Sequence, residues 1–251
     1  KLDCEIDLVT DNINKITKSK RSIAVSNNNF DFLNRLNIYK SSKGVLWPCS
    51  IMKLYTEDKN KKSIEIFELN KKKINQNILH MLESSKISKL LINKIKKTKS
   101  ISIKQNIKIN AIEDLGMLKG IKYNNKNVKY NLVIICAGSN SGLVKSIFKN
   151  KVIHNSYKEL SVTTVLKHNS INNNIARQIF LNNGILALLP ISNNNTSIVL
   201  SIKKNKKIND AYVKKIITLY SKNYLSNIKF NNKIEYKDLN FLIRKKYYKD
   251  R

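Results

Sequence analysis

The stretch Tyr130–Ser146, YNLVIICAGSNSGLVKS, is the most informative part of the sequence. Residues 132–136 (LVIIC) form an uninterrupted apolar run, short enough for a strand that is buried on both faces. The run ends before Gly138, and small polar residues then lead into a predicted helix over Leu143–Phe148. A buried strand, a glycine turn and a helix N-terminus form the phosphate-binding corner of many α/β proteins. An ordinary β–turn–α corner gives the same pattern, and a single glycine does not distinguish the two.

The overall composition allows a substantial globular core. The chain has 251 residues, of which 41% are hydrophobic, and it contains no apolar run long enough to cross a bilayer. Its three cysteines are far apart in sequence and form no CxxC pair, so neither a disulfide framework nor a metal site is predicted. This cysteine usage is typical of a reducing compartment such as the cytoplasm.

The formal net charge is +31, which taken alone suggests a nucleic-acid or anionic membrane partner. However, the basic residues are 43 lysines and only five arginines, and proteins that recognise phosphates and bases specifically rely on arginine forks. Lysine, asparagine and isoleucine are abundant throughout the chain, as an AT-rich coding sequence would produce. We therefore expect solvated surface lysines, no specific nucleic-acid partner and at most peripheral membrane contact.

The chain opens with a predicted strand, Cys4–Thr10, that ends at Asp11. An acid at the tip of the second strand of a dinucleotide fold accepts hydrogen bonds from the adenosine ribose hydroxyls, and an aspartate that begins an ordinary turn is the alternative. The six glycines cannot form a GxGxxG motif. If the fold binds a dinucleotide, its first strand and phosphate loop are expected to precede Lys1.

Arg21 is a second candidate for cofactor binding. It precedes a short apolar segment and a predicted helix over Asn27–Leu36, which Ser26 or Asn27 can cap. Its guanidinium could hold a cofactor phosphate or ribose, or it could be an ordinary surface arginine.

The remaining elements are predicted from periodicity. They comprise a hairpin of Ser50–Glu57 with Ser63–Leu69, an amphipathic helix over Ile87–Lys97, a β-meander (Ser100–Lys104, Ile107–Glu113, Met117–Tyr123, Asn127–Tyr130), an antiparallel sheet (Ser161–Lys167, Ile175–Leu181, Ile185–Ile191, Ser197–Lys203) and a helix over Asn209–Leu225. We predict two domains, an incomplete nucleotide-binding domain with inserted strands over residues 1–149 and a domain over 150–251, mainly a sheet and a helix, that returns toward the first domain at its end.

Four segments resemble the aromatic-ring flavoprotein monooxygenases, in particular the ubiquinone-biosynthesis hydroxylases. RSIAVSNNNFDFLNRLNI (21–38) resembles the R-x-I-A-L-S segment of that family, and ILHMLESSKISKLL (78–91) resembles its G-Y-x-x-E-N segment. NLVIICAGSNS (131–141) resembles its second dinucleotide motif. ARQIFLNNGILALLPISNNNTSIVLSIK (176–203) resembles its A-x-x-F-x-x-x-G-x-x-A-L-L-P-L stretch and the following strand.

The resemblance implies a Rossmann-like FAD/NAD(P)-binding domain with an antiparallel substrate-domain sheet, as in p-hydroxybenzoate hydroxylase. It implies FAD, NAD(P)H and O2, a small aromatic or prenylated substrate, and other quinone-biosynthesis proteins as partners, in the cytoplasm or peripherally on the inner membrane. Because the flavin performs the chemistry in this family, no side chain is predicted to be catalytic. The implied cofactor-binding residues are Asp11, Arg21, Ala137, Gly138, Ser139 and Asn140, and Leu188 and Pro190 are expected on the substrate side.

The sequence also departs from the family pattern. The motif aspartate is replaced by Ala137, the tyrosine of the G-Y-x-x-E-N segment by His80, and its asparagine by Ser84, while Glu83 matches its acid. His80 is at most a weak catalytic candidate. Because the GxGxxG and the C-terminal Gly-Asp motif of the family are not found, we expect the chain to be an internal piece of a longer protein that binds FAD poorly by itself. The alternatives are a degenerate, inactive relative of these enzymes and a different FAD-dependent oxidoreductase of the same fold.

Overall fold

The computed structural model describes residues 3–13, 21–38, 46–71, 76–138, 141–148, 152–205, 208–231 and 233–248. The strands are β1 (Ile6–Thr10), β2 (Ser22–Ser26), β3 (Trp47–Cys49), β4 (Ile51–Glu57), β5 (Ser63–Asn70), β6 (Leu79–Glu83), β7 (Ile101–Gln105), β8 (Ala111–Leu115), β9 (Leu118–Tyr123), β10 (Lys126–Tyr130), β11 (Val152–Lys167), β12 (Ile175–Leu181), β13 (Gly184–Ser192), β14 (Asn195–Lys203), β15 (Lys229–Phe230) and β16 (Glu235–Arg244). The helices are α1 (Asn27–Arg35), α2 (Ser84–Lys96), α3 (Gly142–Phe148) and α4 (Asp210–Ser221).

The chain divides into two compact units, and each is built from separate stretches of sequence. Unit 1 comprises Lys1–Lys15, Ile95–Tyr157 and Asn240–Arg251. Unit 2 comprises Ile16–Lys94 and Lys158–Leu239. The predicted domains had one boundary, between residues 149 and 150, and a return to the first domain at the C-terminal end, whereas the chain passes between the two units four times.

Unit 1 contains a parallel strand pair and a β-meander. β1 pairs in parallel with β7, so that Thr10 lies beside Gln105 at the carboxyl ends of both strands. β8, β9 and β10 form a three-stranded antiparallel sheet, which confirms most of the predicted meander. The prediction that Ser100–Lys104 belongs to that meander is wrong, because β7 pairs with β1 instead.

The prediction of a buried strand over residues 132–136 is also wrong. These residues have no strand conformation, and the side chains of Leu132 and Ile134 are 74% and 76% exposed. An apolar run becomes a doubly buried strand only where neighbouring strands flank it. Among the described residues, no strand pairs with this run. The helix predicted after it is confirmed as α3.

Unit 2 is built around a large sheet with the order β15-β11-β14-β13-β12-β4-β5, and β16 also pairs with β11. The four strands predicted for the second domain, β11 to β14, pair antiparallel as expected. The β4–β5 hairpin, which the sequence analysis assigned to the first domain, extends the same sheet through a parallel pairing of β4 with β12. One face of the sheet packs against α4 in the main hydrophobic core, which includes Leu186, Leu188, Val213 and Ile217.

A second, three-stranded sheet in unit 2 has the order β2-β6-β3. One of its faces, with Val25 and Leu82, packs with residues of α1 and α2 such as Phe30 and Leu90. Met81 belongs to a different cluster that includes Ala176 of β12 and partly buried residues of β13. The small sheet therefore packs on the large one, away from α4. Ser26 is the N-cap of α1, as predicted.

The described residues contain no helix long and apolar enough to cross a membrane. Within the same residues, no three histidine, cysteine, aspartate or glutamate side chains are grouped so that they could hold a metal ion.

Candidate functional site

The carboxyl end of the parallel pair in unit 1 carries Asp11. The residue follows β1 directly, its side chain is exposed, and its backbone carbonyl accepts a hydrogen bond from the Asn106 amide at 2.9 Å. Ligands of α/β folds bind beyond the carboxyl ends of parallel strands. Asp11 thus lies where a carboxylate could accept hydrogen bonds from ligand hydroxyls, and its predicted contact with ribose stays a prediction.

A polar cluster beneath this end holds the elements of unit 1 together. Asp7 of β1 accepts hydrogen bonds from Lys104 Nζ and from the Tyr130 hydroxyl, each at 2.5 Å. These bonds lower the pKa of Asp7, while burial and the bond to Asp7 raise the pKa of Tyr130 to about 12. The cluster connects β1, β7 and β10. Sequence reasoning missed it, although an aspartate inside the strand pattern of 4–10 was the available signal.

The glycine turn of unit 1 is open to its surroundings. Gly138 has a φ of +78°, and a Cβ built there would meet no atom within 4 Å. Ala137 and Gly138 are both exposed, and Ser141 caps α3 by accepting a hydrogen bond from the Val144 amide at 3.5 Å. The backbone at Gly138 is therefore accessible to a ligand. Ser139 and Asn140, which were also predicted to bind the cofactor, lie outside the described residues.

Arg21 lies in unit 2, directly before β2. Its Nε is 3.5 Å from Glu235 Oε2, with both side chains about half exposed, and its carbonyl accepts a hydrogen bond from the Ser84 amide at 2.7 Å. The residue therefore lies beside the junction of β6 and α2, where Glu83 ends the segment that resembles G-Y-x-x-E-N. Its predicted role in cofactor binding stays a prediction.

The same junction borders a polar cavity of about 310 Å³ within unit 2. Lys86 Nζ and Glu83 Oε1 form an ion pair of 3.0 Å at its wall. Ser192 and Asn195 contribute polar groups from the β13–β14 turn. The cavity combines one acid, one base and neutral hydrogen-bonding groups, and it was not predicted from the sequence.

The residues predicted for the substrate side, Leu188 and Pro190, lie on the closed face of the large sheet. Leu188 is 1% exposed in the core with α4, and Pro190 shares its face because it lies two residues further along the strand. This placement is a correction: their side chains pack into the core and form no open wall. Because residues 185–191 are nearly all hydrophobic, the sequence did not indicate which alternate residues point toward α4.

The opposite face of the same sheet carries an aligned row of half-buried side chains. Register places Leu54, Gln178, Ala187, Val199 and Thr163 side by side on five strands. The next aligned row consists of Thr56, Phe180, Ile185, Ser201 and Ser161. None of these ten side chains is charged, although the chain carries a net charge of +31. This neutral face, as we call the two rows, can accept an uncharged ring with a few hydrogen-bonding substituents.

The described histidines of the unit 2 interior are structural. His168 is 5% exposed, with Nδ1 2.8 Å from the Asn169 carbonyl and Nε2 2.9 Å from Thr196 Oγ1. His80 is 9% exposed and stacks on Phe30 with ring centroids 4.3 Å apart. Desolvation lowers the pKa of His80, so that it is neutral near pH 7. Buried imidazoles of this kind do not offer an accessible general base.

The structure thus brings Asp11, Ala137 and Gly138 into unit 1. It places Arg21, Leu188 and Pro190 in unit 2.

No protein-family model matches the chain, and no curated protein is significantly similar to it in sequence. Solved structures, in contrast, are similar in fold. The match to p-nitrophenol 4-monooxygenase PnpA from Pseudomonas putida covers 98% of this chain and 70% of PnpA, with a TM-score of 0.65 and 11% identity. A second match, to 2-methyl-3-hydroxypyridine-5-carboxylic acid oxygenase, covers 94% of this chain and 72% of the oxygenase, with a TM-score of 0.65 and 11% identity.

A third similar structure is the flavin-dependent monooxygenase PieE in complex with FAD and substrate. That match covers 99% of this chain but 52% of PieE, with a TM-score of 0.67 and 9% identity. At such identities the likeness establishes the fold and not the activity. The chain therefore has the mixed α/β fold of the p-hydroxybenzoate hydroxylase-like flavin monooxygenases.

Proposed function

We propose that the protein is a FAD-dependent monooxygenase that uses NAD(P)H and O2 to hydroxylate the ring of a polyprenyl-phenol in ubiquinone biosynthesis. The fold shared with PnpA, the pyridine-ring oxygenase and PieE supports the enzyme class. The four sequence segments that resemble the ubiquinone-biosynthesis hydroxylases support the finer assignment. We further propose that it works in the cytoplasm or peripherally on the inner membrane, with other quinone-biosynthesis proteins as partners.

The observation that carries the proposal is the neutral face. In a chain with 48 basic residues, these ten aligned positions on one sheet face carry no charge, and the row beyond Ser161 and Ser201 holds Glu159 and Lys203. Gln178, Thr163 and Ser161 can hydrogen-bond a phenolic hydroxyl, Ser201 already donates to Glu159 Oε2 at 2.5 Å, and Ala187 and Val199 are small apolar neighbours for a ring. A neutral phenol fits this surface better than a charged metabolite.

The residues of unit 1 fit the adenosine end of FAD in part. Asp11 presents a carboxylate beyond the end of a parallel strand, and the open backbone at Gly138 leaves space for a close approach. FAD would supply the electron transfer and oxygen activation. Asp11 would bind the ribose, and Arg21 would lie along the cofactor in unit 2. The neutral face would orient the ring and exclude water from it.

Activity can be tested with the protein expressed from its complete gene. We expect NAD(P)H oxidation that depends on a prenylated phenol, with one oxygen atom of 18O2 recovered in the product. Filling the neutral face by Ala187→Tyr should raise KM or abolish turnover. Ile64→Tyr on β5 is the matched control, since Ile64 is 51% exposed on the same sheet, and it should leave turnover unchanged.

An inactive relative with the same fold is the second candidate. Ala137 favours it, because this residue replaces the acid of the motif that the segment resembles. NAD(P)H oxidation that stays at the background rate with every phenol tested, in a protein that does bind FAD, would identify this alternative.

A further inference from the structure

Ser201 is a hydroxyl on the neutral face whose position is fixed by strands on both sides. It lies in β14, with Ser161 of β11 opposite it on one side and Ile185 of β13 on the other. The backbones of β13 and β14 approach closely here, since a Cβ built on Gly184 would overlap the Ser201 carbonyl oxygen. A residue inside paired strands keeps its side chain at one place on the sheet, as a precise binding contact requires.

The proton of Ser201 is held by a carboxylate. Ser201 Oγ donates to Glu159 Oε2 at 2.5 Å, in a partly buried position. A hydrogen bond to an ionised acceptor is roughly twice as strong as one between neutral groups, so this proton stays with Glu159. The remaining lone pairs of the Ser201 oxygen can accept a hydrogen bond. The hydroxyl is therefore an acceptor for a ligand on the neutral face, and not a donor.

The charges beside this hydroxyl indicate what kind of donor suits it. Lys203 lies opposite Glu159 in the strand register and is exposed. An ammonium group next to a carboxylate offsets its field, so the pair gives little attraction for a cationic ligand. The two rows of the neutral face add no further charge. A neutral O–H group is thus the donor that fits here, and a phenol supplies one.

We propose that Ser201, with its proton held by Glu159, accepts a hydrogen bond from the ring hydroxyl of the substrate. Ser201 is then a specificity-determining residue, and Glu159 is a positioning residue that acts through it. The neutral face selects rings with a free hydroxyl over rings of the same shape that cannot donate. This inference rests on the proposed function, because it assigns the orientation of a phenol on the same face.

Binding of two matched ligands, measured by isothermal titration calorimetry, tests the proposal. The ligands are ortho-prenylphenol and the corresponding aryl fluoride, in which fluorine takes the place of the hydroxyl and donates no hydrogen bond. The protein is expressed from its complete gene and kept without NAD(P)H, so that no turnover occurs. Ser201→Ala should lower the ratio of the two affinities, phenol over fluoride, about tenfold. Glu159→Gln should lower this ratio about threefold or more, because the serine proton is no longer held by a charge.

Two further variants serve as controls. Ser201→Thr keeps a hydroxyl at the same place and should keep the affinity ratio. Ser170→Ala changes an exposed serine beyond the other end of β11, and it should keep the ratio as well. A structural defect would weaken the binding of both ligands alike, and the ratio would then stay unchanged.

An unchanged ratio in Ser201→Ala, or no binding of the phenol to the natural protein, would overturn the proposal. Turnover of phenols together with an unchanged ratio would remove the role of Ser201 and leave the proposed reaction standing. A ratio that depends on Ser201 in a protein without turnover would support the contact and count against the proposed reaction.

Discussion

Leu188 and Ala187 are neighbours in β13, yet they serve opposite faces of the same sheet. Leu188 is enclosed by the core with α4, while Ala187 belongs to the neutral face. The segment ILALLPI is apolar at nearly every position, so its sequence does not reveal which alternate residues face the helix. Only the register of β13 with β12 and β14 shows which of its residues face the helix. The predicted segment was therefore correct, whereas the residues chosen within it for the substrate side were not.

Two leucine-to-alanine variants compare a buried site with an exposed one. Leu188→Ala should lower the free energy of unfolding by about 2–5 kcal/mol, because it opens a cavity in a closed core. Leu132→Ala removes the same atoms from a side chain that is 74% exposed, and it should change stability by less than about 0.5 kcal/mol. Urea denaturation followed by circular dichroism measures both. Similar losses of stability in the two variants would contradict the placement of Leu188 in a closed core.

His80 should make stability depend on pH. Its folded-state pKa is lowered by burial, so the unfolded chain takes up the proton first as pH falls. The contribution of neutral His80 to the free energy of unfolding is complete above about pH 6.5, the ordinary histidine pKa. This contribution is lost as the pH decreases from there toward the folded-state pKa. The free energy of unfolding should fall less steeply in His80→Gln than in the natural protein, while the exposed control His154→Gln should follow the natural protein. Identical slopes in all three would refute this account of His80.

Among the elements, α4 shows how much a local signal can predict. Its sequence pattern placed a helix over 209–225, and the structure has it over Asp210–Ser221 with Asn209 as the N-cap. Asn209 Oδ1 accepts a hydrogen bond from the Tyr212 amide at 2.9 Å. The C-terminal end was predicted four residues too late, because Leu225 continues the apolar pattern in the core after the helix has ended.

Removing the cap of α4 should destabilise the protein measurably. Asn209→Ala should cost about 0.5–2 kcal/mol, since the first helical amides lose an acceptor. The control Asn93→Ala lies on the exposed side of α2 and should be neutral or slightly stabilising, because alanine has the higher helix propensity. Thermal unfolding compares the two, and an equal effect of both substitutions would argue against a capping role.

At the scale of whole elements, pairing partners were harder to predict than strands. The strand β7 was expected in the meander but pairs with β1, more than ninety residues earlier in the chain. The pairing of the β4–β5 hairpin with the large sheet of unit 2 was missed as well, because a parallel pairing with β12 leaves no local signature in the sequence. Hydrophobic periodicity reports which face is apolar, and it does not report which distant strand lies beside it.

For the whole molecule, the fold class followed from a few motif-like segments and not from bulk properties. The net charge of +31 suggested nucleic acid, whereas the fold is that of flavin monooxygenases. Beyond the predicted return of the chain end, the interleaving of the two units could not be predicted, because a division that the chain crosses four times leaves no linker or change in composition. Burial of residues 132–136 was predicted incorrectly because it requires neighbours that the described strands do not provide.

The central claim, a flavin protein with Asp11 at the ribose, is tested most directly by titrating the protein from its complete gene with FAD and recording the flavin absorption spectrum. The account predicts one bound flavin per chain with a perturbed spectrum, and affinity that falls about tenfold or more in Asp11→Asn, as loss of a charge-assisted hydrogen bond implies. The control Asp3→Asn, which changes an exposed acid in the same unit, should bind as the natural protein does. A protein that takes up no FAD at any concentration, or two variants that bind alike, would contradict the account.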